Sequence, residues 1–311
     1  MKQQYLLIVS GLAGVLLVAN LATCEGEAEV NQLGQTAVTL SSFEADKART
    51  IRIDKGEAKV EVTKQKDTWT LGTGHKADQR KAKELVDDLA KLSGEKRPAK
   101  MDQLDRYGLD EKSEKTIIKV LGEGDAVLAE VTLGKKGPDW GTAFTKRADK
   151  DEVLLLNEGP AGRVAGGELK LSAWIDSTVI RFKQDKTTSL KVSGVQTGEF
   201  SRPTVPGEGD AGPSLGDWKS LSAGPFNGEK FNSLMNRLDG LYLKAPLATA
   251  EGEAKLTFKA SGGDDRTIEL LSQPEEGDDR WVRVDGLGYV VSKSSFENVE
   301  KALTESLTAG E

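Results

Sequence analysis

The chain has 311 residues, of which 37% are hydrophobic and 30% charged, and its net charge is −7. This composition suits about two packed domains and argues against wholesale disorder. Positive and negative residues are interspersed and only 5% of residues are aromatic, so we predict no nucleic-acid partner.

The numbers of cysteine and histidine residues limit the kinds of bond and metal site that the chain can form. Cys24 and His75 are the single residues of their kinds, which rules out a disulfide framework within the chain and nearly excludes a Cys/His zinc site. The acidic clusters Asp149–Asp151–Glu152 and Asp264–Asp265 lack the EF-hand spacing and are typical of solvated surface. We therefore predict no metal site, no cofactor and no catalytic residue.

The amino terminus has the pattern of an export signal. Lys2 precedes an apolar run from Tyr5 to Ala22, and the chain turns acidic after Cys24. We interpret residues 1–23 as a signal peptide or membrane anchor and residues 24–46 as a linker. The soluble domains should then lie outside the cytoplasmic membrane, in the cell envelope.

The residues before Cys24 leave two ways of tethering the chain. Leu21-Ala22-Thr23-Cys24 resembles a bacterial lipobox, which predicts lipidation of Cys24 after cleavage. Thr23 departs from that pattern, because the position prefers glycine, alanine or serine. An uncleaved anchor is the alternative, and either route places the membrane among the partners.

A first group of elements follows the linker. Alternating strands are predicted at Thr50–Ile53, Lys59–Thr63 and Thr68–Leu71, with Trp69 in the core beneath the sheet. An amphipathic helix from about Ala77 to Leu92 comes next. Its start suits a cap at Asp78, and Gly94 lies just past its end. Glycine turns then separate strands of a predicted antiparallel meander, at Thr116–Val120, Val127–Leu133, Ala143–Lys146 and Val153–Leu156.

The same pattern returns later in the chain. Trp69 is followed by the apolar helix positions Ala82, Leu85, Val86, Leu89 and Leu92. At an offset of 218 − 69 = 149, Trp218 is followed by Phe231, Leu234, Met235, Leu238 and Leu241. We interpret this register as two copies of one unit: residues 47–185 as a first α+β repeat with its connector, and residues 186–311 as a second.

The fold class is therefore α+β. Each predicted repeat is a mainly antiparallel sheet with one amphipathic helix packed on it, and a C-terminal helix capped by Ser294 or Ser295 closes the chain. The second repeat carries an insertion, Ser201–Gly216, where the first has a short turn. It is either a binding loop or simply a flexible one.

Several segments together resemble a known family. They are an amino-terminal anchor, Ile51-Arg52-Ile53, the Trp69 strand, the helix after Ala77-Asp78, Tyr107-Gly108-Leu109, Val131-Thr132-Leu133-Gly134, Trp174-Ile175-Asp176 and Val179-Ile180-Arg181-Phe182. The whole resembles the bacterial domain-of-unknown-function family 4340. The resemblance implies a membrane-anchored, repeat-containing protein, and some members are associated with ABC-type transport components and gliding-motility auxiliary proteins. The family has no established catalytic residues to carry over.

Three features invite a chemical interpretation. The segment Gly72–Ala77 matches the G-x-G-x-x-A pattern of a dinucleotide-binding turn. That pattern requires a parallel βαβ unit, whereas this segment follows an antiparallel hairpin, so we interpret it as a tight turn. His75, within it, is predicted to be solvent-exposed. The tryptophans at 140, 174 and 281 are predicted to be core residues rather than a sugar-binding surface.

Two functions from different classes remain. The first is a non-enzymatic, membrane-tethered binding or scaffold protein with a protein partner in an ABC-type transport or envelope complex. The second is a hydrolase that acts on envelope polymers through a carboxylate pair in the groove between the repeats. The absence of a nucleophile motif favours the first.

Overall fold

The computed structural model describes residues 37–97, 103–146, 152–156, 159–164, 167–178, 181, 184–207, 212–263, 265–272 and 277–308. Residues 1–23 and Cys24, which carry the predictions of an anchor and of lipidation, lie outside this part. None of the helices in the described ranges has the length and apolar character needed to span a bilayer.

The first half of the described chain contains strands β1 to β9 and three helices. The strands are β1 Ala37–Thr39, β2 Thr50–Lys55, β3 Ala58–Gln65, β4 Thr68–Leu71, β5 Ser93–Arg97, β6 Thr116–Leu121, β7 Val127–Lys136, β8 Ala143–Lys146 and β9 Val153–Leu156. The helices are α1 Gln79–Ala90, α2 Leu104–Tyr107 and α3 Pro160–Val164.

The second half contains strands β10 to β19 and two longer helices. The strands are β10 Ser189–Gly194, β11 Gly198–Ser201, β12 Thr204–Val205, β13 Ser214–Leu215, β14 Lys219–Ser220, β15 Ala245–Leu247, β16 Ala254–Ser261, β17 Arg266–Leu271, β18 Asp279–Val284 and β19 Leu287–Ser292. The helices are α4 Gly228–Asp239 and α5 Lys293–Ser306.

Contact density divides the chain into two compact units, each built from two segments. The first consists of Met1–Ala48 and Leu85–Gly167. Within it, strands run in the order β1-β5-β9-β8-β7-β6 with antiparallel pairing. Alternate residues of β6 and β7 are buried, as their sequence period requires. All four residues of β9 are buried, because its sequence is a continuous apolar run.

The second unit consists of Arg49–Glu84 and Glu168–Glu311. It contains the antiparallel group β2-β3-β4 and an eight-stranded antiparallel sheet in the order β14-β11-β10-β16-β17-β18-β19-β15. Helix α5 packs against α4 and against β18 and β19. The apolar stripes of both helices are fully buried, with Phe231, Leu234 and Leu238 on α4 and Val299 and Leu303 on α5.

The protein is therefore α+β, as predicted. Strand order also bears on the predicted repeat. The run β5-β9-β8-β7-β6 corresponds to β15-β19-β18-β17-β16, and β2-β3-β4 corresponds to β10-β11-β14. These matching orders support two copies of one unit. The repeat and its boundaries at residues 47–185 and 186–311 stay predictions, because the compact units follow contact density rather than element order.

The start of α1 shows how the sequence builds its local structure. Asp78 caps the helix by accepting a hydrogen bond of 2.9 Å from the Lys81 N–H. The Gln79 side chain accepts from the N–H of Trp69 at 2.7 Å and donates to its carbonyl at 2.8 Å. The first turn of the helix is thereby fixed to strand β4, and Trp69 is buried as predicted.

Two predicted helix termini are wrong. Gly94 does not end α1: it lies inside β5, where an added Cβ would be 3.0 Å from the Leu155 carbonyl oxygen. Glycine is needed there for close strand approach. The cap of α5 is Ser292 rather than Ser294 or Ser295, since its hydroxyl accepts from the Ser295 N–H at 3.2 Å.

Candidate functional site

The Gly72–Ala77 turn is a tight turn, and its histidine is buried. Gly74 has a φ of +82°, and its N–H donates to the Leu71 carbonyl at 2.8 Å. The prediction that His75 is solvent-exposed is wrong, because the ring is 1% exposed. Its position in a glycine-rich turn was a poor guide, since the turn folds against strand β19 of the same unit.

Both ring nitrogens of His75 have partners. Nε2 lies 2.7 Å from the Gly288 carbonyl oxygen, which can only accept, so Nε2 carries the proton. Nδ1 lies 2.9 Å from the Thr73 hydroxyl. With both nitrogens engaged and the ring buried, His75 joins two chain segments and leaves no nitrogen for a nucleophile or a metal.

A charged pair lies next to this turn. Lys76 Nζ lies 3.1 Å from an Asp176 carboxylate oxygen. Burial alone would raise the pKa of Asp176. Hydrogen bonds from the Thr178 hydroxyl at 2.6 Å and from its N–H at 3.0 Å, together with Lys76, outweigh burial and hold the pKa below its ordinary value. Asp176 is thus an ionised structural carboxylate.

Other acidic candidates form no site in the described ranges, where no group of three or more His, Cys, Asp or Glu side chains is placed to hold a metal ion. Asp149, Asp151 and Asp264 lie outside those ranges, as does Cys24.

The tryptophans differ sharply in their surroundings. Trp174 is 1% exposed, which confirms it as core, and Lys81 Nζ lies 4.2 Å above its ring. Trp281 is half-buried. Trp140 is 84% exposed, so the prediction that it belongs to the core is wrong. Sequence reasoning missed it because only the turn position, between Asp139 and Gly141, distinguishes it from a core tryptophan.

A rigid turn presents Trp140. Between β7 and β8, the Gly137 N–H donates to the Thr142 carbonyl at 2.9 Å, and the Thr142 hydroxyl donates to the Asp139 carbonyl at 2.7 Å. Gly141 has a φ of +80°, which favours glycine. These constraints fix the backbone on both sides of the indole.

A cleft of about 310 Å³ lies beside this indole. The β7–β8 turn and the start of α3 line it. Gly162 of α3 keeps it open, because an added Cβ would lie 3.6 Å from Trp140 Cη2 and 3.3 Å from Gly141 Cα. Lys136 and Asp139 supply one charge of each sign at its edge. We call Trp140 and this cleft the Trp140 surface.

Strand pairing joins the two ends of the predicted insertion Ser201–Gly216. Its two ends pair as β12 and β13, with Thr204 opposite Leu215 and Val205 opposite Ser214. Residues 208–211 lie outside the described ranges. Neither interpretation of the insertion, as a binding loop or a flexible one, is tested by this pairing.

The fold and the Trp140 surface describe an α+β protein with an exposed tryptophan beside a cleft. The family model described as Domain of unknown function (DUF4340) matches residues 69–261, more than half of the 311 residues, and the chain belongs to this family. The family resemblance predicted from the sequence is thereby confirmed. No curated protein and no solved structure matches the chain.

Proposed function

We propose that the protein is a non-enzymatic binding or scaffold protein that recognises a protein partner through the Trp140 surface. Its amino terminus would hold it at a membrane, with the soluble domains extracytoplasmic in the cell envelope. The family resemblance suggests a component of an ABC-type transport or envelope complex as the partner.

The exposure of Trp140 is the observation that carries this proposal. A tryptophan left in water forgoes the free energy of burying a large apolar side chain, of order 2–3 kcal/mol. Tryptophan is also enriched among the residues that contribute most to protein–protein binding. Because the turn is already rigid, little conformational entropy is lost when a partner covers the ring.

The test is site-specific photocross-linking in intact cells. A photoreactive phenylalanine derivative at position 140 should give one discrete protein adduct, at least about tenfold stronger than the same group at position 242. Tyr242 is the matched control, because it is an exposed aromatic residue of the second unit. Equal adducts at both positions, or a polysaccharide adduct at position 140, would contradict the proposal.

A further inference from the structure

Arg280 occupies a core-facing position of strand β18. Alternate residues of the strand, Arg280, Val282 and Val284, are buried, whereas Trp281 and Arg283 between them are half-buried. In a strand with one buried face, every second residue lies on that face and is usually apolar. Arg280 is nevertheless only 8% exposed.

The guanidinium of Arg280 has no carboxylate partner among the described residues. Its Nη1 donates to the carbonyls of Gly277 and Asp279, both at 2.9 Å. Neighbouring arginines are paired, Arg283 with Glu269 at 2.9 Å and Arg266 with Asp285 at 2.7 Å. Three N–H groups of Arg280 remain, and the one on Nε and one of the two on Nη2 form an edge of the fork.

This arginine lines an open cleft of about 510 Å³ within the second unit. The cleft is lined by Lys255, Leu271, Ser272, Arg280, Lys293, Phe296, Glu297 and Glu300. Among the described lining residues, three cations and two carboxylates give a formal charge of +1. Lys255 is engaged with Glu300 at 2.6 Å, whereas Lys293 lies 3.9 Å from Glu297.

We propose that this cleft, the Arg280 cleft, binds a ligand through a single carboxylate held by the Nε and Nη2 edge of Arg280. The planar fork of arginine matches the two oxygens of a carboxylate. A monoanion balances the formal charge of +1, and the two glutamates disfavour a phosphate dianion. Lys293 is the second cation within the cleft, and Leu271 and Phe296 offer apolar contact to the rest of the ligand.

The proposal is independent of the Trp140 surface, and a short apolar carboxylate tests it. The full chain in a nonionic detergent is titrated with sodium butyrate, with the neutral isostere butyramide and with sodium phosphate, at ionic strength matched by sodium chloride. Butyrate should raise the unfolding temperature, with a Kd on the order of 1 mM as expected for so small a ligand. Butyramide and phosphate should not.

Variants separate a ligand-binding arginine from a structural one. Arg280→Met should abolish the butyrate effect, and its free form should unfold at a slightly lower temperature, because the variant loses the two hydrogen bonds to the carbonyls of Gly277 and Asp279. Arg280→Lys should weaken butyrate at least about tenfold, since the ammonium lacks the fork. Lys301→Gln, on an exposed part of the same helix α5, is the control and should bind as the wild type does.

Lys293→Gln covers the case in which Arg280 variants fail to fold. Its side chain is 43% exposed, so folding should be retained while butyrate binds about threefold more weakly. Butyrate binding that survives Arg280→Met, a response to butyramide or phosphate equal to that to butyrate, or no response of the wild type at all would overturn the proposal.

Discussion

The ring of Tyr289 lies edge-on against that of His75, with 4.7 Å between the ring centroids and an interplanar angle of 89°. Tyr289 is 1% exposed, and this burial, followed by the charges of Asp176 and Asp285, raises its pKa to about 12. The neutral phenol is therefore the form that the folded protein accommodates. An edge-to-face pair of this kind adds to the fixation of the turn by His75.

Replacing Tyr289 should change the alkaline stability of the protein. The pKa of a tyrosine in the unfolded chain is about 10. Because the folded value is higher, the contribution of the neutral phenol is fully present below about pH 10 and is lost as the pH rises towards 12. Tyr289→Phe should remove about 2 kcal/mol of that alkaline loss.

The measurement combines denaturant unfolding across this pH range with a titration of phenolate absorbance. Tyr289→Phe should eliminate the late phenolate titration step near pH 12. Tyr242→Phe, at an exposed position, is the control and should leave that late step in place. A late step that persists in Tyr289→Phe would contradict the assignment.

Helices α1 and α4 are the corresponding helices of the two predicted repeats. Their stripe positions at the 149-residue offset are buried in both, including the pairs Leu85 and Leu234, and Leu89 and Leu238. The caps of the two helices stand at the same offset, since 227 − 78 = 149. Asp78 caps α1 by accepting from the Lys81 N–H at 2.9 Å, and Asn227 caps α4 by accepting from the Lys230 N–H at 3.0 Å. The packing positions and the position of the cap therefore correspond, while the capping side chain changes from a carboxylate to an amide.

Equivalent truncations in the two helices should cost similar amounts. Leu89→Ala and Leu238→Ala each remove a fully buried side chain, so each should lower the free energy of unfolding by about 3 kcal/mol. Denaturant unfolding measures both. The matched controls Lys83→Ala and Asn232→Ala lie at exposed positions of the same helices and should change stability by less than about 0.5 kcal/mol. A near-neutral result for either leucine would contradict its place in the core.

Strong periodicity made most of these elements predictable. The stripes of α1 and α4 and the meander β6 to β9 follow from helix and strand periods. Strand β5, Ser93–Arg97, was missed because its sequence is charged and contains a glycine. It forms a strand because it pairs with β1 and β9. Tertiary pairing here overrides weak local propensity.

Site residues were harder to predict because their surroundings are set by distant contacts. The hydrogen bond of His75 to the Gly288 carbonyl joins residues 213 positions apart in the sequence. A local sequence pattern cannot predict such a contact. Arg280 alternates with the apolar residues Val282 and Val284 in β18. The strand period therefore places its charge on the buried face, and this signal in the sequence could have found it.

At the scale of the whole chain, the compact units are not continuous in sequence. The second unit joins Arg49–Glu84 to Glu168–Glu311, and within it the Asp78 N–H donates to the Trp174 carbonyl at 2.8 Å. Such long-range contacts can form only after the chain has closed a large loop, which costs conformational entropy. A repeat seen in sequence and a unit defined by contacts therefore need not have the same limits.

Membrane association of the full chain is the measurement that most directly tests the proposed localisation. The net charge of −7 disfavours attraction to anionic lipid, so membrane association should depend on the apolar run between Tyr5 and Ala22. The full chain should remain in the membrane fraction after a high-salt wash, whereas a chain that begins at residue 37 should be recovered almost entirely in the soluble fraction. Recovery of the shortened chain with the membranes would show that another surface binds lipid.

Cys24→Ala then distinguishes the two forms of tether. An uncleaved anchor keeps this variant in the membrane fraction at the wild-type level, since about twenty apolar residues are enough to hold a chain in a bilayer. A lipid-modified cysteine would instead make the variant accumulate as a larger, unprocessed form, and inhibition of the lipoprotein signal peptidase would shift the wild type to the same size. We expect the first result, because Thr23 departs from the small residue that the lipobox prefers. A size shift of the wild type on inhibition would establish lipidation in its place.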